Sequence, residues 1–339
     1  MRALAGDPAR PLLSIQYLRA FAALAVVVFH ACQWSDVDFD IGAGGVDVFF
    51  IISGFLMWRI TQDPAVTPMS FLRRRIVRVV PLYWIATLAL ALLAIAAPQM
   101  IRQLRPTAPH LVLSLLFIPH LDPDGIPFPF LPPGWTLNYE AILYLIFTAS
   151  LAAPRARRLA LVVGVLGLIT VAGLIVRSLF PLFANPMMLE FAAGVLLARF
   201  AEDGRWPSRG MGWSLIGLGL VTFAMLRVLG IHSDIGRWIL WGGPAVVIVA
   251  GALAVEAAGG LPRSAILKRL GDASYSIYLC HWPIIAIAAK LAGERQLWLF
   301  VPVVTLAALA AGLAVHVGVE APLIRLLRRR PPRPAFSVP

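Results

Sequence analysis

The sequence predicts an all-α, polytopic integral membrane protein, and three observations carry that prediction. The chain is 60% hydrophobic and only 14% charged, with a mean hydropathy of +0.82, whereas soluble domains average about 45–50% apolar and about 25% charged. Its apolar residues gather in ten runs, and its charges gather in short basic clusters between them. No large polar insert interrupts the pattern, so a single membrane domain over residues 1–339 is expected. Its spans would occupy about 12–317, with a basic cytoplasmic tail over 318–339.

The ten runs cover 12–34, 45–60, 79–97, 134–152, 159–180, 185–199, 211–229, 237–257, 273–291 and 297–317. Crossing a bilayer takes about 20 apolar residues, so the second and sixth runs are short for the task. The first follows a short polar stretch and lacks a small-residue cleavage site, which marks a retained helix rather than a removed signal. The apolar segment 111–119 is too short to cross and is expected to be re-entrant or interfacial. Between runs three and four, residues 98–133 hold nine prolines, which forbid a long helix there. This connection reads either as a wall over an external opening or as an ordinary exposed loop.

The basic residues test the count. With the N-terminus placed inside and the gaps alternating, only Arg102, Arg105, Arg177, Arg227, Arg237, Lys290 and Arg295 fall outside, leaving 22 of the 29 Lys and Arg inside. Cytoplasmic loops carry such an excess, so ten helices with both termini cytoplasmic are expected. The same clustering accounts for the net charge of +12 without nucleic acid. Cys32 and Cys280 both lie in apolar runs and form no disulfide framework. No metal-ligand spacing, phosphate-cradling glycine loop or nucleophile elbow is present, so no metal is expected.

Chemistry-bearing residues lie at membrane depth. Arg19 and His30 are eleven residues apart in the first run, which puts them on one helical stripe about 16 Å apart along the axis. Ionisable groups at that depth are functional candidates. Glu140 lies two turns into the fourth run and is expected to share the outer half of the membrane with His30. The pair would make a general base and its orienting carboxylate; the alternative is a packed histidine and an arginine-paired glutamate. Asp47 either joins them or caps its helix. Ser53 reads as a packing residue or a cavity-lining one. Trp135, Asn138 and Tyr144 share the fourth run with Glu140, with Tyr144 one turn below it. His281 either lines the cavity or bonds a carbonyl freed by Pro283. Arg73, Arg75 and Arg78 lie in a basic segment before Tyr83. Arg75 and Arg78 share a helical face and would grip phosphate, or would anchor the topology at anionic lipid.

Taken together, these segments resemble the membrane-bound acyltransferase family 3, and within it the exopolysaccharide-production branch. The likeness rests on Leu18-Arg19 through His30, Gly45-Val46-Asp47 through Ser53-Gly54-Phe55, Arg73 through Tyr83-Trp84, Gly134 through Glu140, and Tyr275 through His281-Trp282-Pro283. These stretches run in order along residues 14–322. The chain departs from many members at Gln16-Tyr17, where they carry Asp-Gly.

The resemblance implies a ten-helix enzyme of a bacterial-type inner membrane. It would move an acyl group, usually acetyl, from acetyl-CoA or another acyl-CoA to a carbohydrate hydroxyl. It assigns His30 as catalytic base, Glu140 as its acidic helper, and Arg75 and Arg78 to the acyl-CoA site, with Arg19, Arg73 and Tyr83 on the donor side. The expected partners are acyl-CoA, a carbohydrate acceptor and membrane lipid. A transporter or flippase of a lipid-linked sugar also places ionisable residues at depth. A non-catalytic subunit of an export complex is the third reading, and it leaves Arg19, His30 and Glu140 without a purpose.

Overall fold

A computed structural model describes residues 11–35, 37–101, 103–175, 187–204, 206–230, 237–293 and 299–328. Outside the described residues lie Arg2, Arg10, Arg102, Arg177, Arg205, Arg295, Arg329, Arg330 and Arg333. So do parts of three expected runs, 176–180, 185–186 and 297–298, and the tail residues 329–339.

The described residues form thirteen α-helices and no strand: α1 (Leu13–Cys32), α2 (Gly44–Thr61), α3 (Pro68–Ala96), α4 (Ala108–Leu115), α5 (Trp135–Ser150), α6 (Arg155–Ile175), α7 (Met188–Glu202), α8 (Arg209–Val228), α9 (Arg237–Leu240), α10 (Gly242–Ala257), α11 (Ala265–Ala292), α12 (Phe300–Val315) and α13 (Ala321–Arg328). Every expected run overlaps one of them. Seven stretches are long and apolar enough to cross a membrane: α1, Asp40–Thr61, α3, α6, α8, Ser274–Ala292 and Phe300–Arg328. The remaining three, α5, α7 and α10, have 16, 15 and 16 residues. At 1.5 Å per residue each is about 22–24 Å long, short of the ~30 Å hydrocarbon core. The shortness of α10 has a local cause: run eight breaks at Trp241, which separates α9 from α10.

Two boundaries move from their expected places. Run three was placed from 79, but α3 begins at Pro68, so Arg73–Arg78 belong to a helix and not to a loop. Thr67 accepts from the Ser70 amide while Ser70 Oγ accepts from the Thr67 amide, a capping box that, with Pro68 at the first helical position, fixes the start. At the other end, the polar tail expected from 318 is helical as far as Arg328. A π-turn over His316–Glu320 joins α12 to α13.

Helix α1 is held by its neighbours α2, α11, α12 and α10. No side chain of its own caps it. The carboxylate of Glu256, at the end of α10, accepts instead from the amides of Leu13 (2.9 Å) and Ser14 (2.8 Å) and from Ser14 Oγ (2.5 Å). A negative charge on otherwise orphaned amides suits the positive end of the helix dipole. The crossing of α2 and α7 depends on two glycines. A Cβ on Gly54 would run into the Phe191 carbonyl, and one on Gly194 would run into the Ile51 carbonyl; small residues permit such backbone approach between membrane helices. Toward the outside, α6 exposes Leu161, Val165, Leu168, Val171 and Ile175, and α8 exposes Leu218, Val221 and Met225. These apolar stripes suit lipid.

The expected re-entrant piece is α4. Tyr83 Oη donates to the Ser114 carbonyl (3.2 Å) and Trp84 Nε1 to the Leu115 carbonyl (2.8 Å), docking α4 on α3. Ser114 Oγ accepts from the Phe130 amide (2.8 Å) and so ties down the proline-rich connection.

Candidate active site

The helices enclose two cavities at different depths, and α1 contributes to both. Near the start of α1 lies a cavity of about 510 Å³; near its end lies another of about 570 Å³. Arg19 lines the first and His30 the second, as one stripe eleven residues apart requires.

The inner cavity is basic. Arg19, Arg59, Arg74, Arg75, Arg78 and Arg328 line it, against the acids Asp63 and Glu140. Arg19 donates through Nε (3.1 Å) and Nη2 (2.8 Å) to Ser274 Oγ on α11. Arg75 stands over the Phe71 ring at 5.5 Å, and its buried Nε meets no acceptor among the described residues. Glu140 accepts from Ser53 Oγ (2.7 Å) and Tyr144 Oη (2.8 Å). Tyr275, also lining this cavity, donates to the Val79 carbonyl (2.7 Å).

Among the described residues that line the outer cavity there is no carboxylate, lysine or arginine. Six aromatic residues line it, Phe29, Phe128, Trp135, Tyr139, Tyr278 and Trp282, together with His30, Gln33 and Asn138. Pro119, Pro127, Pro132 and Pro133 complete it, so the proline-rich connection is a wall and not a free loop. His30 Nδ1 lies 2.9 Å from the Val26 carbonyl and 3.2 Å from Nε2 of His281.

Among the described residues, only Val46 and Tyr278 line both cavities. Tyr278 is fastened by a hydrogen bond between its hydroxyl and that of Thr136 (3.1 Å). Helix α5 divides its residues between the two sides. Thr136, Leu137, Glu140 and Tyr144 face the inner cavity; Trp135, Asn138, Tyr139 and Ile142 face the outer one.

That division corrects the expected pairing of His30 with Glu140. Glu140 lies 200° around the helix from Asn138, on the stripe facing the arginines, and both its oxygens are held there by Ser53 and Tyr144. Glu140 and His30 therefore line different cavities. Asp47 is fully buried and lines neither cavity, because Val46, Phe49, Phe50 and Ser53 form the facing stripe of α2. Arg73 is exposed on the side of α3 opposite Arg75, and Arg74 lines the cavity in its stead. Tyr83 is buried against α4 and lines neither cavity. His281 is fully buried behind His30 and also lines neither. Its Nδ1 bonds the Tyr278 carbonyl (2.6 Å), not the Leu279 carbonyl that Pro283 leaves without its usual donor. Ser53, Tyr144, Trp135 and Asn138 do line cavities. Sequence reasoning missed Arg59, Arg74, Arg328, Gln33, Phe29, Tyr278 and Trp282 as cavity residues. The aromatic members were legible as a cluster only once their helices were assembled.

Among the described residues no cluster of three or more His, Cys, Asp or Glu could hold a metal ion. The acyltransferase domain family matches residues 12–317. The chain is 39% identical over 313 residues to the exopolysaccharide production protein ExoZ of Rhizobium meliloti (strain 1021), covering 90% of this chain and 96% of that protein. It is 29% identical over 380 residues to the acyltransferase MdmB of Streptomyces mycarofaciens, covering 96% and 94%. It is 25% identical over 365 residues to the O-acetyltransferase OatA of Staphylococcus aureus (strain NCTC 8325 / PS 47), covering 93% of this chain and 57% of that protein. No solved structure matches.

Proposed function

The chain belongs to the acyltransferase 3 family, and we propose that it is a multi-pass membrane enzyme moving an acetyl group from acetyl-CoA in the inner cavity to a carbohydrate hydroxyl in the outer one. The observation that carries this reading is the adjacency of a basic cavity and an aromatic one, whose linings share Val46 and Tyr278. The O-acetyltransferase and exopolysaccharide-production names of the relatives support acetyl as the acyl group and a polysaccharide as its acceptor. Taking Arg75 and Arg78 as the cytoplasmic end agrees with the alternation of basic residues expected for cytoplasmic loops.

In the inner cavity, guanidinium forks suit the phosphates of the coenzyme, and the unsatisfied Nε of Arg75 is a ready donor for one. Glu140, Ser53 and Tyr144 form a hydrogen-bonded group beside them; Glu140 offsets part of the arginine charge and so belongs to the donor side. In the outer cavity, Trp135, Tyr139, Phe128 and Trp282 offer flat apolar faces to a sugar ring, and Asn138 and Gln33 offer amides to its hydroxyls. His30 lines this outer cavity, half-buried near the end of α1.

The acceptor hydroxyl gives its proton to His30 as its oxygen bonds to the thioester carbonyl carbon. The carbon–sulfur bond then breaks, the sulfur leaves toward the inner cavity, and the proton held by His30 ends on that thiolate. The products are the ester and the free thiol. Keeping bulk water from both cavities favours transfer over hydrolysis.

The test is transfer of labelled acetyl from acetyl-CoA to a polysaccharide acceptor by purified protein in lipid nanodiscs. His30→Ala should abolish transfer while the protein remains folded and inserted. Near-normal transfer by His30→Ala would remove His30 from the chemistry.

A further inference from the structure

We infer that His281 is a positioning residue for His30: together with the Val26 carbonyl it accepts the Nδ1 hydrogen of His30, which holds the ring and leaves Nε2 as the bare nitrogen of a side chain that lines the outer cavity. The inference rests on His30 being the base, and it adds how that base is prepared. A backbone carbonyl can only accept. The Val26 carbonyl, 2.9 Å from Nδ1 of His30, therefore requires a hydrogen on that nitrogen. The Tyr278 carbonyl, 2.6 Å from Nδ1 of His281, requires one there too. A neutral imidazole carries a single hydrogen, so Nε2 of His281 is a bare acceptor. It lies 3.2 Å from His30 Nδ1, whose hydrogen it shares with Val26. One proton assignment thus satisfies all three contacts, while swapping either ring's tautomer turns a lone pair against a carbonyl oxygen.

The remaining nitrogen, Nε2 of His30, is then unprotonated on the ring that lines the cavity. When it takes the acceptor's proton, the Nδ1 hydrogen stays on His30, and its bonds to Val26 and His281 strengthen as the ring becomes positive. His281 does this without touching substrate, since it is fully buried and lines neither cavity. Its ring is tilted 46° to that of His30 at 4.9 Å. It is anchored on α11 next to Tyr278, so the helix that supplies part of the wall also holds the base.

The experiment uses the full chain in nanodiscs with ¹⁵N-labelled histidine rings. The chain has only six histidines, and the His30 signals are assigned by their loss in His30→Ala. Wild type should show His30 protonated at Nδ1 and bare at Nε2. His281→Asn keeps a donor for the Tyr278 carbonyl but offers no acceptor where Nε2 stood. The Val26 carbonyl still holds the hydrogen on Nδ1 of His30, so this variant should weaken only the second bond of that hydrogen, moving the protonated Nδ1 signal upfield, and lower kcat about 10- to 100-fold, as loss of a histidine's orienting partner does, with KM for acetyl-CoA unchanged. His281→Gln, whose side-chain carbonyl reaches the Nε2 position, should recover much of both.

A purely structural role predicts the reverse order, because His281→Asn preserves the bond within α11. Finding His281→Asn equal to or better than His281→Gln, or the wild-type ring protonated at Nε2, overturns the inference. Active His30→Ala would instead sink the choice of base, and the ring spectra, which need no turnover, keep the two failures apart.

Discussion

Removing the paired arginines of α3 should cripple use of the whole coenzyme and spare use of its thioester end. The perturbation is Arg75→Ala with Arg78→Ala, which takes two of the six arginines from the inner cavity. A hydrogen bond to a charged group contributes about 1.5–3 kcal/mol net, so two phosphate-gripping forks are together worth about 3–6 kcal/mol. At about 1.4 kcal/mol per factor of ten, donor affinity should fall roughly 10²- to 10⁴-fold. Little of that loss should come from misfolding, because Arg75 Nε has no acceptor among the described residues to lose.

The assay measures initial rates against acetyl-CoA and, separately, against acetyl-pantetheine, a donor with the same thioester but no nucleotide or phosphate. The double variant should raise KM for acetyl-CoA steeply and leave the rate with acetyl-pantetheine near wild type. Arg75→Lys keeps the charge but loses the planar fork, so it should fall between. Equal losses with both donors would refute phosphate recognition and return these residues to the role of a membrane-surface anchor.

Three further outcomes test the architecture. Val46→Phe enlarges a side chain of the shared wall; kcat should fall at least about tenfold, a barrier of about 1.4 kcal/mol, with donor KM unchanged, and unaltered turnover would show that the acyl group does not pass there. Glu256→Ala removes the carboxylate that caps α1 from another helix, costing about 1–3 kcal/mol; thermal unfolding in detergent should shift down, and an unchanged midpoint would dismiss the cap. Gly54→Ala drives a methyl into the Phe191 carbonyl, an overpacking that costs about 1–3 kcal/mol; the yield of folded protein should drop, and normal yield and melting would show that α2 and α7 tolerate separation.

The helical runs and the stripe holding Arg19 and His30 were legible because both follow from composition and a period of 3.6. The start of α3 was missed because the basic residues 73–78 depress hydropathy, although Thr67-Pro68 and Ser70 spelled a helix start. The continuation to Arg328 was hidden the same way, since α13 is amphipathic and its arginines read as tail. Glu140 was misplaced for a different reason: depth was reckoned, but the face was not. Its period already grouped it with Thr136 and Tyr144, opposite Trp135 and Asn138. The contact of His281 with His30 joins residues 251 apart, and no local pattern encodes it; it exists because α1 and α11 pack side by side. Tyr83 looked like a donor-side residue until α4 covered it.

That Val46 and Tyr278 stand between the chambers also bears on the cell's energy supply. A water-filled pore through a bilayer protein would short-circuit the membrane, where each elementary charge is worth about 2.3 kcal/mol per 100 mV. Two cavities whose linings meet at Val46 and Tyr278 would, under this reading, leave no such pore. Under the proposed chemistry the bulky nucleotide carrier never leaves the cytosol and the glycan never enters it. A two-carbon fragment changes compartments without any breach in insulation.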